Sequence, residues 1–130
     1  MTKPILLLTL FIYTTLNAEG IICKFDGNQA QMNQCAYEEF QQADRELNIV
    51  YKAIRKKNKA VKEYIQNLKV SQRLWIKFRD AELNMIFTCP HKNSRICFGS
   101  MYELLFYEAK KDLTLERVKN LKKYILEGEL

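Results

Sequence analysis

The sequence predicts an all-α protein, a small bundle of about three helices built from a long helical hairpin and a C-terminal helix. Neither glycine nor proline occurs between Asn28 and Thr88, whereas the turns of a sheet usually need one or the other. Apolar residues recur in this stretch at three- and four-residue steps, the period of an amphipathic helix. A length of 130 residues, 48% hydrophobic and 28% charged, fits one folded domain and excludes a two-domain enzyme and wholesale disorder.

Residues 1–18 have the features of a secretory signal peptide, so residues 19–130 are expected to form a single mature domain. Lys3 supplies a positive start, Ile5–Tyr13 is apolar apart from one threonine, and Ala18 is a small residue at the cleavage position. A membrane anchor is the alternative, but the apolar run is shorter than the roughly 18–20 residues that cross a bilayer. We therefore expect a periplasmic or secreted protein with no membrane span after cleavage and no nucleic-acid partner.

The four cysteines all lie in the mature part of the chain, at Cys23, Cys35, Cys89 and Cys97. An even number in an oxidising compartment indicates disulfides. Of the three possible pairings we favour the local one, Cys23 with Cys35 and Cys89 with Cys97, in which each bond contributes roughly 2.5–3 kcal/mol. A metal site at Cys89, His91 and Cys97 is the alternative, but its spacing fits no standard zinc pattern. No catalytic residue, metal or cofactor is predicted.

Three helices are predicted, from Gln29 to about Lys57, from about 60 to 87, and from 101 to about 126. Only Asn58 marks the first turn, so one long bent helix is an alternative there. Pro90 ends the second helix, residues 88–100 form a loop, and Gly128 follows the third helix. The residues expected to face inward are Met32, Ala36, Phe40, Ala43, Leu47, Val50 and Ile54 in the first helix, Tyr64, Ile65, Leu68, Trp75, Phe78 and Ile86 in the second, and Leu105, Ala109, Leu113, Leu121, Tyr124 and Ile125 in the third.

Several polar residues fall on these inward faces at 100° per residue. They are Arg79, Gln72 and Glu82 on the second helix, Arg117 on the third, and Asp44 at the edge of the first stripe. Because inward arginines are costly unless paired, we predict a buried or half-buried network of Arg79 and Arg117 with Asp44 and Glu82. A structural role that fixes helix register is favoured. The alternative is acid–base chemistry by Asp44 and Glu82, but arginine lowers the pKa of a carboxyl and makes it a poor general acid.

Three groups of motifs carry a family resemblance. They are Cys35–Phe40 with Ala43–Asn48 and Tyr51, then Leu68–Glu82, and finally Gly99–Ser100 with Leu113–Arg117. With them, residues 23 to 126 resemble the LprI N-terminal domain family, small exported bacterial proteins named after a lysozyme inhibitor. The resemblance implies a small helical fold, an envelope location and lysozyme inhibition by at least one member. Many relatives carry cysteines where Leu83 and Ala109 stand here, which fits one disulfide relocated into the loop.

If lysozyme is the partner, the loop is the expected contact, because a disulfide-stiffened loop loses little entropy when it fills a glycosidase cleft. Its candidate contact residues are Pro90, His91, Lys92, Asn93, Arg95 and Phe98. The formal charge of +6 becomes about +5 once Lys3 leaves with the signal peptide. Lysozymes of the animal type are strongly basic as a class, so this charge gives no long-range attraction to them.

A basic patch near the first interhelical turn suggests a second function. It consists of Lys52, Arg55, Lys56, Lys57, Lys59 and Lys62, with no acidic residue among them. Such a patch is typical either of a plain solvated surface or of a site for an anionic envelope component, such as a lipopolysaccharide, an acidic protein or a wall polymer. The sequence thus predicts a binding protein with two candidate surfaces, the loop and the basic patch.

Overall fold

The computed structural model describes Cys23 and residues 26–126 (of residues 125 and 126 only the backbone), and this part of the chain confirms the predicted all-α bundle. Its elements are α1 (Gln29–Lys57), α2 (Lys62–Ile86), the one-turn α3 (Arg95–Phe98), a 3₁₀ turn (Gly99–Met101) and α4 (Tyr102–Leu126). None of the described helices is both long and apolar enough to span a membrane. The expected signal peptide and Gly128 lie outside the described residues.

Both ends of α1 are set by asparagines. At its start the Asn28 side chain accepts from the Gln31 backbone N–H at 3.0 Å, and the Gln31 side chain accepts from the Asn28 N–H at 2.9 Å, which completes a capping box. At its end Asn58 donates from both its backbone and its side chain to the Ile54 carbonyl. A true turn therefore separates α1 from α2, so the single bent helix is wrong.

Helices α1 and α4 run parallel and side by side, and α2 runs antiparallel to both. Tyr37 packs edge-on against Tyr107 near the start of this pair, and Lys122 binds Glu46 further along it. The α1–α4 interface includes the buried residues Ala36 and Ala43. Their small side chains let the two helix backbones pack closely. The main core lies towards the other end of α1 and contains Leu47, Val50, Ile54, Leu68, Val118 and Leu121.

Three residues expected to face inward are exposed instead. Phe78 is 62%, Tyr124 56% and Ile86 46% exposed. Four residues that the sequence analysis did not assign to the core are buried in it: Leu83, Leu104, Thr114 and Val118. For Phe78 and Leu83 the reason is that α2 carries apolar residues around most of its circumference, so periodicity alone does not mark where the side that meets α1 and α4 ends.

The chain between α2 and α4 is compact. Thr88 ends α2 by donating from its hydroxyl to the carbonyls of Asn84 and Met85, and Pro90 lacks the N–H needed to continue the helix. After α3 the backbone turns at Gly99, whose φ of 64° and ψ of −155° are a conformation that essentially only glycine adopts. These two breaks place α4 alongside α1 and leave the intervening residues at one end of the bundle.

Candidate functional site

The segment 88–100 forms a disulfide-closed loop at the end of the bundle where α1 and α4 begin. Cys89 and Cys97 are bonded, with their Cα atoms 6.0 Å apart. Pro90, His91 and Lys92 are exposed at the tip of the loop. The loop therefore presents a short apolar and cationic surface to solvent on a covalently closed frame.

Aromatic side chains support the base of this loop. The Phe87 ring at the end of α2 lies 5.3 Å from the Phe98 ring and 5.9 Å from the Tyr102 ring, and Phe106 continues the cluster 5.6 Å from Phe87. Such edge-to-face and tilted pairs are the favoured aromatic geometries. Of the six candidate loop residues, Phe98 is thus half-buried in this cluster and serves the frame of the loop, while the other five are exposed.

Arg95 fastens the loop to α4 through Glu103. The Arg95 Nε donates to Glu103 Oε1 at 2.8 Å, and its Nη2 binds the same oxygen. This hydrogen bond from Arg95 holds the pKa of the Glu103 carboxyl below its ordinary value. Glu103 also accepts from Asn33 on α1 at 3.4 Å, so one carboxylate joins the loop to two helices.

Both inward arginines lie close to the ring of Trp75. The Arg79 guanidinium carbon is 5.2 Å and the Arg117 guanidinium carbon 5.8 Å from the centroid of the indole ring. Arg79 is 8% exposed and binds Asp80, the next residue on α2, at 2.9 Å. Arg117 is half-buried, and burial lowers the pKa of its guanidinium.

The structure brings Arg117 and Gln72 together but gives the arginines different partners from those expected. Arg117 donates to Gln72 Oε1 and to Ser71 Oγ, both at 3.1 Å. Glu82 lines a groove of about 320 Å³ between α2 and α4 together with both arginines, but no hydrogen bond or ion pair joins it to either arginine among the described residues. Arg79 therefore pairs with Asp80, the next residue, and not with Glu82, the partner that the sequence analysis expected.

Asp44 lies on the other side of Arg79. It lines a groove of about 310 Å³ between α1 and α2 that Gln72 and Arg79 also line, and its carboxylate accepts from Asn48 at 3.2 Å. Asp44 and Glu82 therefore border different grooves, one on each side of α2. The two carboxylates are therefore not placed together, as acid–base chemistry by Asp44 and Glu82 would require.

Lys110 completes this positive cluster, and the sequence analysis missed it. Its ammonium lies 4.6 Å from the centroid of Phe40 and 5.7 Å from that of Phe106. Burial first, and then the nearby charge of Arg79, lower the pKa of Lys110. In the sequence, Lys110 is marked only by Phe106 four residues earlier on α4. This is a weak signal, because the second ring, Phe40, comes from α1.

The basic patch surrounds a concavity at the opposite end of the bundle. Lys52, Arg55, Lys56, Lys59 and Ile65 line a pocket of about 360 Å³. Arg55, Lys56 and Lys57 also occupy the last turn of α1, where cations interact favourably with the helix dipole. The patch thus combines a structural role at a helix end with an open cationic pocket.

Cys23 and Cys35 are neighbours whose side chains are joined by a hydrogen bond and not by a disulfide in the structure. Burial and the hydrogen bond with Cys35 raise the pKa of the Cys23 thiol to about 12. The predicted bond between them therefore stays a prediction, with its two sulfur atoms already side by side. No group of three or more His, Cys, Asp or Glu side chains suited to a metal ion occurs in the part of the chain that the structure describes.

Comparison with known proteins identifies one family. A family model described as "Lysozyme inhibitor LprI" matches residues 23–121, which include all three long helices up to Leu121 and the whole disulfide-closed loop. No curated protein and no solved structure matches the chain.

Proposed function

Because the chain belongs to the LprI lysozyme inhibitor family, we propose that it inhibits lysozyme by inserting the loop 88–100 into the substrate cleft. The carrying observation is the loop itself, exposed at its tip, closed by the Cys89–Cys97 bond and fixed at its base by Arg95 and the Phe87 cluster. Retention of shape on binding matters because ordering a flexible segment reduces affinity. The proposal includes export to the envelope, where lysozyme is met.

The chemistry of the loop tip suits a glycosidase cleft. Most glycosidases place two carboxyl groups on either side of the scissile bond, and Lys92 would bring a cation to them from the loop tip. Lys92 is exposed, and no salt bridge joins it to a carboxylate in the described residues, so its charge is available to a partner. His91 and Pro90 beside it supply the flat surfaces that fill a sugar-binding cleft.

Net charge predicts how this association depends on salt. The chain and a basic lysozyme repel each other at long range, so the association rate is expected to rise as salt screens the repulsion. Contacts at the loop then set the dissociation rate. An inhibitor that works in this way gains potency between low and physiological ionic strength.

The test is a lysozyme turbidity assay with the purified, oxidised protein. We expect inhibition by the unaltered protein and a loss of about tenfold or more in potency for Lys92→Glu, which reverses the charge facing the cleft. Lys119→Glu is the matched control, an exposed lysine on α4 far along the bundle; it makes the same change in net charge and should not lower potency. Lack of inhibition at micromolar excess of the unaltered protein would refute the proposal.

A second candidate function rests on the basic pocket. Its four cationic side chains, Lys52, Arg55, Lys56 and Lys59, converge on one concavity, which suits a phosphate or carboxylate of an anionic envelope component. Binding to anionic lipid vesicles or to lipopolysaccharide should weaken steeply with salt, the opposite of the dependence expected for lysozyme. A double Lys56→Glu, Lys59→Glu variant should lose this binding, and binding that ignored salt would exclude the pocket as its cause.

A further inference from the structure

An apolar stripe runs along the outer side of α2, and no other part of the described chain covers it. Val70 is 44%, Leu74 60%, Phe78 62% and Met85 66% exposed, and Ala81 between them is exposed as well. At 100° per residue these five residues fall within about 80° of arc. We call this row, Val70–Leu74–Phe78–Ala81–Met85, the outer stripe.

The outer stripe is separate from the bundle core. The buried residues of α2 are Leu68, Arg79 and Leu83, which lie on nearly the opposite side of the helix. Scattered exposed apolar residues are ordinary, but a contiguous row of them on one helix marks an interaction surface. Its steps of four and three residues are those of a helix that packs lengthwise against another helix.

We propose that the outer stripe is the interface of a homodimer in which the α2 helices of two copies pack antiparallel. At about 200 Å² for each large side chain, the exposed fractions of the four large residues of the stripe correspond to roughly 460 Å² of apolar surface per copy. Complete burial in two copies would remove about 900 Å² from solvent, less than the roughly 1,200 Å² of stable specific interfaces, which fits a weak and reversible dimer. The flanking side chains add to this area.

The order of residues along the stripe favours the antiparallel arrangement. With Phe78 near the two-fold axis, Leu74 of one copy meets Ala81 of the other, and Val70 meets Met85. Leu74 and Met85 then face the smaller Ala81 and Val70, and the two Phe78 rings meet near the axis, which fills the interface. A parallel, in-register pair would place Ala81 against Ala81 beside a Phe78 pair and leave a gap.

Charges beside the stripe agree with the same arrangement. Arg73, Lys77 and Asp80 lie on one flank of the outer stripe, and in an antiparallel pair this flank meets its own copy. The register that joins Val70 to Met85 places Asp80 of one copy between Arg73 and Lys77 of the other. The same register brings the two Lys77 side chains close together near the axis, which offsets part of the attraction between Asp80 and Arg73. The flanking charges therefore supply orientation more than affinity.

The dimer leaves the loop free. Because the two helices run in opposite directions, the disulfide-closed loops 88–100 lie at opposite ends of the pair, each open to a partner. The inference therefore does not depend on lysozyme inhibition, and either one can fail while the other holds.

The test is sedimentation equilibrium of the purified, oxidised protein from roughly micromolar to millimolar concentration. We expect a reversible monomer–dimer equilibrium, and for Phe78→Glu a rise of at least about tenfold in the dimer dissociation constant, since the change buries an unpaired charge. Ile49→Glu is the matched control, because Ile49 is 67% exposed on α1 and away from the stripe. Circular dichroism checks that both variants keep their helices.

Cross-linking tests the orientation. A Val70→Cys protein mixed with a Met85→Cys protein should give mixed cross-links in preference to pairs of one variant. A monomer at millimolar concentration, equal effects of Phe78→Glu and Ile49→Glu, or preferential Val70→Cys self-pairs would overturn the proposal. If the unaltered protein is a monomer and Phe78→Glu abolishes lysozyme inhibition, the proposal is also overturned, because the outer stripe would then bind the enzyme.

Discussion

Arg117 on α4 donates a hydrogen bond from its Nε to Oε1 of Gln72 on α2, with 3.1 Å between the two atoms. Its Nη2 donates to Ser71 on the same helix, and its guanidinium lies over the Trp75 ring. One side chain of α4 thus makes three contacts that span two successive turns of α2, a helix that otherwise borders open grooves on both sides. Arginine suits this role because its donors are held in a rigid planar fork.

We expect Arg117→Met to lower the free energy of unfolding by about 1–3 kcal/mol, since it removes two hydrogen bonds and the contact with the ring. Methionine keeps most of the aliphatic stem, so the loss measures the polar contacts rather than packing. Urea denaturation followed by Trp75 fluorescence is the measurement. Arg45→Met, at an exposed position on α1, is the control, and an equal loss in both variants would contradict this account.

Arg79→Met should change stability by no more than about 1 kcal/mol, although Arg79 is more deeply buried than Arg117. Its partner Asp80 is 52% exposed, so removal of the arginine leaves a solvated carboxylate and no buried unpaired charge. Arg79→Glu should cost roughly 3–5 kcal/mol, because it places a second acid beside Asp80 in a buried position. Chemical denaturation of both variants decides this, and a large loss in the methionine variant would disprove it. Unchanged stability with lost inhibition would instead assign Arg79 to the binding surface.

The purified exported protein should contain no free thiol, since the neighbouring Cys23 and Cys35 thiols are expected to oxidise after export. Alkylation of the unfolded, non-reduced protein followed by mass spectrometry counts the thiols that remain. Peptide mapping should find Cys23 linked to Cys35. Complete alkylation of both residues, or a link from either of them to the loop cysteines, would refute the local pairing.

Acid should weaken the attachment of the loop to α4. The pKa of Glu103 is lower in the folded chain than its ordinary value of 4.5, so the Arg95–Glu103 pair stabilises the fold fully above that value. This contribution is lost as the pH falls through the lower, folded value. Because Arg95 is 61% exposed, we expect only a few tenths of a kcal/mol to about 1 kcal/mol at neutral pH.

The measurement is the difference in Tm between the unaltered protein and Glu103→Gln across the acid range. The difference should be largest at neutral pH and disappear well below pH 4.5. Glu116→Gln, at an exposed position on α4, serves as the matched control. A difference for Glu103→Gln that stayed constant down to low pH would show that the pair does not act through the charge of this carboxyl.

Helix limits were predictable because local chemistry sets them. The limits of α1 at Gln29 and Lys57 are those expected, and Pro90 ends the second helix in the predicted region. The inward direction of Arg79 was predictable too, since it lies in the middle of an apolar arc. Its carboxylate partner was not, because Asp80 and Glu82 both lie within reach on the same helix and only side-chain geometry distinguishes them.

Buried polar groups show the limit of pattern analysis. Thr114 is fully buried, and its hydroxyl donates to the Lys110 carbonyl one turn earlier at 2.7 Å. This internal hydrogen bond satisfies the hydroxyl, so a polar residue occupies the core at little cost. Apolar periodicity has no means of placing such a residue.

The amino-acid sequence by itself determined the helical class, the extent of each long helix, the loop cysteines close enough to pair, and family membership, since each depends on neighbours in the chain. Only the tertiary structure decided how far the inward face of α2 extends, and hence that Phe78 and Met85 are exposed while Leu83 is buried. The physical reason is that the apolar arc of α2 is wider than the face that meets α1 and α4. Contact with those helices buries one part of the arc, and the other part is left as a surface for a partner.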